Sequence, residues 1–331
     1  MRAVPIARYG APDVLRVTEA HVPEPGPGQV LIATEAVSVG FAQTQMRRDC
    51  FPAPMWRPTL PVVLGGDVVG TVDAVGPQVE HIRTGDRVGA FLMQGAYAEY
   101  ALADAATLVP VPTELDAAAA TVLPGAGPIA VGTLATGRLR AGETVLVHAA
   151  AGGIGHLAVQ LAKLAGAGRV IATASSPAKL DFARSLGADA VVDYTAPGWA
   201  EEVRAATDGR GVDLILDSVG GDVLLTGVGL LAPGGRLVFY GSAGGGTDVP
   251  KVPVMDLIGL KYVTGFSLSA WQRLHPQEYA DGLAELTAHL TSGRLKAAVH
   301  ARLPLDQAAR GHEIIESRAH QGRVVLLPRT G

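Results

Sequence analysis

The chain has 331 residues, too many for one ordinary core and enough for two domains. Its 48% hydrophobic and 18% charged residues can bury sizeable cores, and 27 basic against 31 acidic residues, with no Lys/Arg run, argue against a nucleic-acid or anionic-membrane surface. One cysteine, Cys50, leaves no internal disulfide and no Cys-rich zinc knot, which fits a reducing cytoplasm, and the amino-terminal stretch lacks an apolar core of signal-peptide length.

The first third reads as β. Residues 1–10, 14–24, 29–40, 68–76 and 87–103 are short and Val-rich, with turns such as Pro25-Gly26-Pro27-Gly28, so a barrel-like domain is expected. The apolar stretch 115–135 is broken by Pro124 and Pro128 and reads as a buried helix and loop rather than a membrane span. From about residue 125 strands and helices alternate. Apolar runs at 144–148, 170–174, 190–193, 212–217 and 236–241 flank helical patterns, as at 155–166, where Leu157, Leu161 and Leu164 recur at helical steps. Such alternation predicts a doubly wound parallel sheet, closed by a strand at 262–267. The tail predicts helices at 276–292 and 305–317 and a last strand from Arg323 to Leu327.

The strand at 144–148 runs into Ala149-Ala150-Ala151-Gly152-Gly153-Ile154-Gly155 and then a helix. Ala150-x-Gly152-x-x-Gly155 is the dinucleotide fingerprint with its first glycine replaced by alanine. Gly152 lets the backbone approach a pyrophosphate, Gly155 lets helix and strand pack closely, and the N–H groups near Gly153 and Ile154 face the phosphates. An acidic residue ending the second strand would hold a ribose 2′-hydroxyl. Here that position is Ala174, followed by Ser175, Ser176 and Lys179, which suit a 2′-phosphate. Two charge-assisted contacts would favour NADP(H) over NAD(H) on the order of a hundredfold.

These stretches, with 217–221 (Asp-Ser-Val-Gly-Gly) and 316–328 (Glu-Ser-Arg-Ala-His-Gln-Gly-Arg-Val-Val-Leu-Leu-Pro), resemble the zeta-crystallin-type quinone oxidoreductases of the zinc-free medium-chain dehydrogenase/reductase superfamily, over essentially the whole chain. The resemblance implies a GroES-like catalytic domain over 1–125 and 267–331, a Rossmann domain inserted at 126–266, NADPH as hydride donor and a homodimer paired through the Rossmann sheet edge. It also implies that Lys179, Tyr194 and Arg318 hold the 2′-phosphate and that Gly152, Gly153 and Ile154 form the pyrophosphate turn. Ser218, Val219, Gly241 and Ser242 would run along the coenzyme, with Phe266 and Leu268 meeting the nicotinamide through their backbone. Some pocket positions depart. A frequent Asn is Gly40, a frequent Tyr is Gln45, and a Thr that meets the nicotinamide amide is Pro128 or Ile129. Phe41 lies within the same pocket stretch.

Zinc-dependent relatives carry a Gly-His-Glu motif where this chain has Gly65-Gly66-Asp67, and no Cys lies near Gly40, so no metal is expected. His312-Glu313-Ile314-Ile315-Glu316 begins like a zinc-protease motif but has Glu316 for the second His; it reads as a surface helix. No Gly-x-Ser-x-Gly elbow is present. His148 reads as a packed histidine, Cys50 as a bystander, and Met55-Trp56 as either a pocket mouth or a surface loop. Without a Lewis acid, a conjugated acceptor suits hydride transfer better than a simple ketone. A quinone is the first candidate, an enone or 2-alkenal reduced at C=C the second, and an NADPH-binding structural or sensing protein a third of another class. Gln43 and Thr44 are the polar candidates for proton donor.

Overall fold

The computed structural model describes residues 1–51, 58–243 and 251–329. The chain forms two compact units, one of Met1–Ala126 with Thr287–Gly331 and the other of Gly127–Leu286.

In the first unit two long strands, Gln29–Val39 and Val62–Val75, pair antiparallel. Strand Arg87–Gln94 pairs antiparallel with Val62–Val75, and Tyr100–Asp104 pairs antiparallel with the first half of Gln29–Val39. Strand Arg323–Leu327 pairs antiparallel with Gln29–Val39, through Val324 opposite Val39 and Leu326 opposite Val37, and Val299–Pro304 lies parallel beyond it. Both ends of the chain therefore build one sheet. Its core is aliphatic, with Ile6, Val30, Ile32, Val37, Leu64 and Val68 fully buried.

The second unit is a six-stranded parallel sheet in the order Ala190–Asp193, Arg169–Ala174, Thr144–Val147, Val212–Asp217, Leu231–Phe239, Tyr262–Gly265. In chain order this is 3-2-1-4-5-6, which places the switch point beside Thr144–Val147, where open α/β sheets bind ligands at the strands' carboxyl ends. Leu146, Ile171, Ile215 and Leu237 are fully buried, as strands covered on both faces require, and this is why they read as continuous apolar runs.

Two expectations are corrected. The return to the first unit comes at Thr287 and not at 267. The reason is packing: a Cβ at Gly132 would meet the Phe266 ring at 2.5 Å and Trp271 at 2.8 Å, and one at Gly282 would meet Val131 at 2.7 Å. Trp271 Nε1 also donates to Glu278 Oε2 at 3.0 Å, so helices Leu268–Leu274 and Pro276–Thr291 begin on the Rossmann sheet's side. Residues 14–24 hold a 3-10 turn, Pro12–Val14, and a strand of only Thr18–Glu19. A helix, Phe41–Arg47, lies between the strands expected at 29–40 and 68–76, in a stretch for which the sequence predicted no element. Among the described residues no helix is long and apolar enough to cross a membrane.

Candidate functional site

The fingerprint turn is held by its own backbone. Ala149 takes a left-handed φ of 49°, Ala150 N donates to Thr173 O at 2.9 Å and Gly152 N to Ala149 O at 2.9 Å. A Cβ at Gly155 would lie 2.3 Å from Ala149 O and 2.8 Å from Ala150 Cα, so only glycine lets helix Gly155–Leu164 start this close to the turn. At Gly152 the nearest atom to such a Cβ is Ala149 O at 3.2 Å, a tight contact but a much less severe one than at Gly155. No side chain caps the helix start at Ile154, and Gly152, Gly153 and Ile154 are partly exposed. Uncapped N–H groups of this kind, at the positive end of the helix dipole, suit a pyrophosphate. Sequence reasoning missed His156, which is fully buried and joined through Nδ1 to Gly152 O at 2.8 Å; the carbonyl must accept, so the ring proton sits on Nδ1.

Beside this turn the second and third strands bring three further candidates together. Ala174 pairs with Asp193, and Tyr194 N donates to Ala174 O at 3.3 Å, which sets Tyr194 alongside Ser175. Lys179 lies in the first turn of helix Pro177–Ser185, its N–H on Ser176 O at 3.1 Å. The carboxylate of Asp193 turns to Thr195, accepting from its N–H at 2.9 Å and its hydroxyl at 2.6 Å. The strand ends thus present a lysine, a serine and a tyrosine.

On the other side of the switch point Asp217 is buried, and its Oδ1 accepts from Val219 N at 2.6 Å and Gly220 N at 2.9 Å. Ala243 N donates to Ser218 O at 2.7 Å, which joins the Ser218–Val219 loop to the Gly241–Ser242 loop. Phe266 N donates to Phe239 O at 2.8 Å, its ring lies against Gly132, and Leu268 is buried at the start of its helix.

The remaining candidates belong to the first unit. Arg318, with a left-handed φ of 56°, stacks its guanidinium 4.3 Å from the Phe41 ring centroid. Gly40 N donates to Gln43 Oε1 at 3.1 Å, and a Cβ at Gly40 would meet that oxygen at 2.8 Å. The Gln43 amide thus fills the space that a side chain at position 40 would take. Thr44 is buried and its hydroxyl donates to Phe41 O at 2.7 Å. Both proton-donor candidates are therefore engaged in starting the helix. Gln45 is half-buried, and its carbonyl accepts from Cys50 N at 2.8 Å. Of the alternatives at 128–129, Pro128 is buried and Ile129 is partly exposed. Met55 and Trp56 lie outside the described residues.

The His312 motif is a correction. It was expected on a surface helix, but His312 is fully buried with Arg47, which comes from the far end of helix Phe41–Arg47. Arg47 Nε donates to His312 Nδ1 at 3.2 Å, its Nη1 to Gly10 O at 2.6 Å, and its Nη2 pairs with Glu316. Because Nδ1 accepts, the ring proton is on Nε2 and donates to Tyr97 Oη at 3.1 Å. Burial and the adjacent guanidinium push the His312 pKa down to about 3, and burial raises that of Tyr97. Nothing local in the sequence could show that His312 and Glu316 serve an arginine 265 residues away.

A zinc ion does not fit the described residues. A side chain at Gly66 would meet Ser38 O at 2.7 Å and Val37 Cγ2 at 2.9 Å. Asp67 is committed elsewhere: its Oδ2 pairs with Arg323 Nη2 at 2.5 Å and accepts from Ser38 Oγ at 3.1 Å. No group of three His, Cys, Asp or Glu able to hold a metal occurs among the described residues.

Two family models match the chain: an alcohol dehydrogenase GroES-like domain over residues 26–113 and a zinc-binding dehydrogenase domain over 153–288. A quinone oxidoreductase of Pseudomonas aeruginosa is 36% identical over 99% of both chains. This chain belongs to the quinone oxidoreductase family of the medium-chain dehydrogenase/reductases. A 2-haloacrylate reductase from a Burkholderia species is 35% identical over 98% of both chains. A mycobacterial protein solved in complex with NADPH superposes with a TM-score of 0.91 at 37% identity, covering 99% of this chain and 100% of that one. The fold is the family's GroES-like and Rossmann pair. Although the matching domain is described as zinc-binding, no group of three metal-ligating side chains occurs among the described residues.

Proposed function

We propose that this protein is an NADPH-dependent reductase of a conjugated acceptor, a quinone first. The observation that carries the reading is the strand-end set of Ser175, Lys179 and Tyr194 beside an uncapped glycine turn, with Ala174 and not a carboxylate ending the second strand. NADPH supplies a hydride when bound. Gly152, Gly153 and Ile154 hold its pyrophosphate, Ser175, Lys179 and Tyr194 its 2′-phosphate, and the loops of Ser218–Val219 and Gly241–Ser242 its length. The backbone of Phe266 and Leu268 orients the nicotinamide. Gly40, Phe41 and Gln45 line the acceptor pocket. The protein's main contribution is orientation and exclusion of bulk water, and the reduced acceptor, as a delocalised anion, takes its proton from a water molecule or a weak acid.

A second reading, reduction of an activated C=C bond, is favoured by the similarity to a 2-haloacrylate reductase and by the changed side chains at 40, 45 and 128 or 129. Consumption of NADPH, with product identification, against matched quinones and enones tests both. Quinone reduction insensitive to EDTA is expected; preference for NADH or loss of activity with EDTA would overturn the reading.

We further infer a homodimer in the cytoplasm. Strand Tyr262–Gly265 is the outermost of its sheet, and Val254, Met255, Ile258, Leu260 and Tyr262 beside it are half to four-fifths exposed. A free strand edge with an apolar flank suits pairing with a second copy. Light scattering should give twice the 34.0 kDa chain mass, reduced by Ile258→Asp with Leu260→Asp.

A further inference from the structure

We propose that His148, which the reaction does not use, is a positioning residue for Tyr194 and so sets the preference for a 2′-phosphorylated coenzyme; this rests on the assignment of Lys179 and Tyr194 above. His148 ends the fingerprint strand and is fully buried. Its N–H donates to Leu216 O at 3.0 Å, and its ring is joined through Nδ1 to Thr173 Oγ1 at 2.8 Å. Thr173 is also fully buried, one residue before Ala174, to whose carbonyl Tyr194 is tied. The imidazole then stands nearly perpendicular to two half-buried rings, Tyr194 at 6.4 Å and 80° and Trp199 at 5.6 Å and 85° between centroids.

The chemistry of this contact is unusual for a histidine. Nε2 is buried with no hydrogen-bond partner among the described residues, and a Cβ at Gly227 would lie only 3.8 Å from it. The ring is therefore used as an aromatic surface with one polar tether. Burial holds its pKa below the usual histidine value, against the opposing pull of Asp217, so it stays neutral. A neutral ring fixed in plane by Thr173 gives Tyr194 and Trp199 a defined edge or face to rest on. The strand that forms the phosphate turn is thereby coupled to the side chain that reads the adenosine end.

The tether can be cut by Thr173→Val, which keeps the branched shape but leaves His148 Nδ1 unpaired, and kept by Thr173→Ser. Dissociation constants of NADPH and NADH are measured for each purified variant by calorimetry, with thermal unfolding as the check on folding. Loss of one such aromatic arrangement corresponds to roughly a two- to tenfold effect. Thr173→Val should weaken NADPH by that factor and leave NADH within about twofold, while Thr173→Ser behaves as the parent. Equal weakening of both coenzymes, or no change in a folded Thr173→Val protein, overturns the inference. If Thr173→Val does not fold, His148→Phe, which keeps the ring and loses the tether, carries the same expectation and the same overturning result. Lys179→Ala separates this from the underlying assignment. If it leaves the NADPH:NADH ratio unchanged, the phosphate site is wrong and the inference falls with it; if it collapses the ratio and the Thr173 and His148 variants do not, only the role of His148 fails.

Discussion

The phosphate turn at 148–155 and the helix start at 40–47 are both entered through glycine or alanine, yet they are built in opposite ways. In the turn, backbone packs on backbone: Gly155 sits where any Cβ would strike Ala149 O at 2.3 Å, while at Gly152 the same oxygen would lie 3.2 Å away. At the helix start, side chains fold back onto the backbone. Gln43 caps Gly40, Thr44 caps Phe41, and Arg47 is buried among His312, Glu316 and Gly10. A site made of main-chain groups depends on spacing and tolerates changes around it. A site made of side chains depends on distant partners.

The sharpest way to break the contrast is at the two glycines of the turn. Gly155→Ala should destabilise the protein by at least about 3 kcal/mol, because the clash is with backbone that cannot rotate away. Gly152→Ala should leave the urea midpoint near the parent's and weaken NADPH by about tenfold or more, since there the crowding is with the ligand. Equal unfolding midpoints for the two variants would show that Gly155 is not packed as described.

The helix start is tested through its buried anchor. Folded His312 is held neutral down to a pKa of about 3 against 6.5 when unfolded, and the groups facing it are Arg47, Tyr97 and, through Arg47, Glu316. The folded pKa is the lower one, so the unfolded chain binds the extra proton between these values. Stability is complete above pH 6.5 and is lost as pH falls from 6.5 towards 3, by up to roughly 5 kcal/mol. Urea midpoints from pH 8 to pH 4 should fall in the parent and less steeply in His312→Asn. Parallel curves would remove His312 from the acid limb.

The same contrast explains what was legible in the sequence. The Rossmann strands were readable because burial on both faces leaves uninterrupted Val/Ile/Leu runs, and the turn because glycine spacing is a local property. Helix Phe41–Arg47 was not, since its start is signalled by Gln43 reaching back to Gly40 rather than by a Ser, Thr, Asp or Asn cap. His312 and Glu316 read as surface charge because Arg47, which buries them, lies far away in the chain. The end of the inserted unit was misplaced for a related reason: Trp271 and Gly282 show their partners, Gly132 and Val131, only in three dimensions.

Coenzyme choice is a smaller effect. Lys179→Ala should raise the Kd of NADPH by about ten- to a hundredfold and leave that of NADH within about twofold, read by fluorescence titration. A parallel loss for both coenzymes would mean that Lys179 supports the helix Pro177–Ser185 rather than the phosphate.

The smallest effect is expected at Thr44, and it carries the most information about the acceptor side. Its hydroxyl is the kind of group that could protonate a reduced acceptor, yet it is buried and donates to Phe41 O at 2.7 Å. A hydroxyl has one proton, so donating it to an acceptor would first require breaking this bond at the helix start. Thr44→Val keeps the volume and removes the proton. If the proton comes from water, kcat with a quinone should stay within about threefold, and the loss should appear as about 1 kcal/mol of stability. A drop in kcat beyond about a hundredfold, with KM for NADPH unchanged, would be the signature of general acid catalysis and would make Thr44 the donor after all. The helix start would then combine its capping role with chemistry, and the division between a backbone-built coenzyme turn and a merely structural helix start would no longer hold.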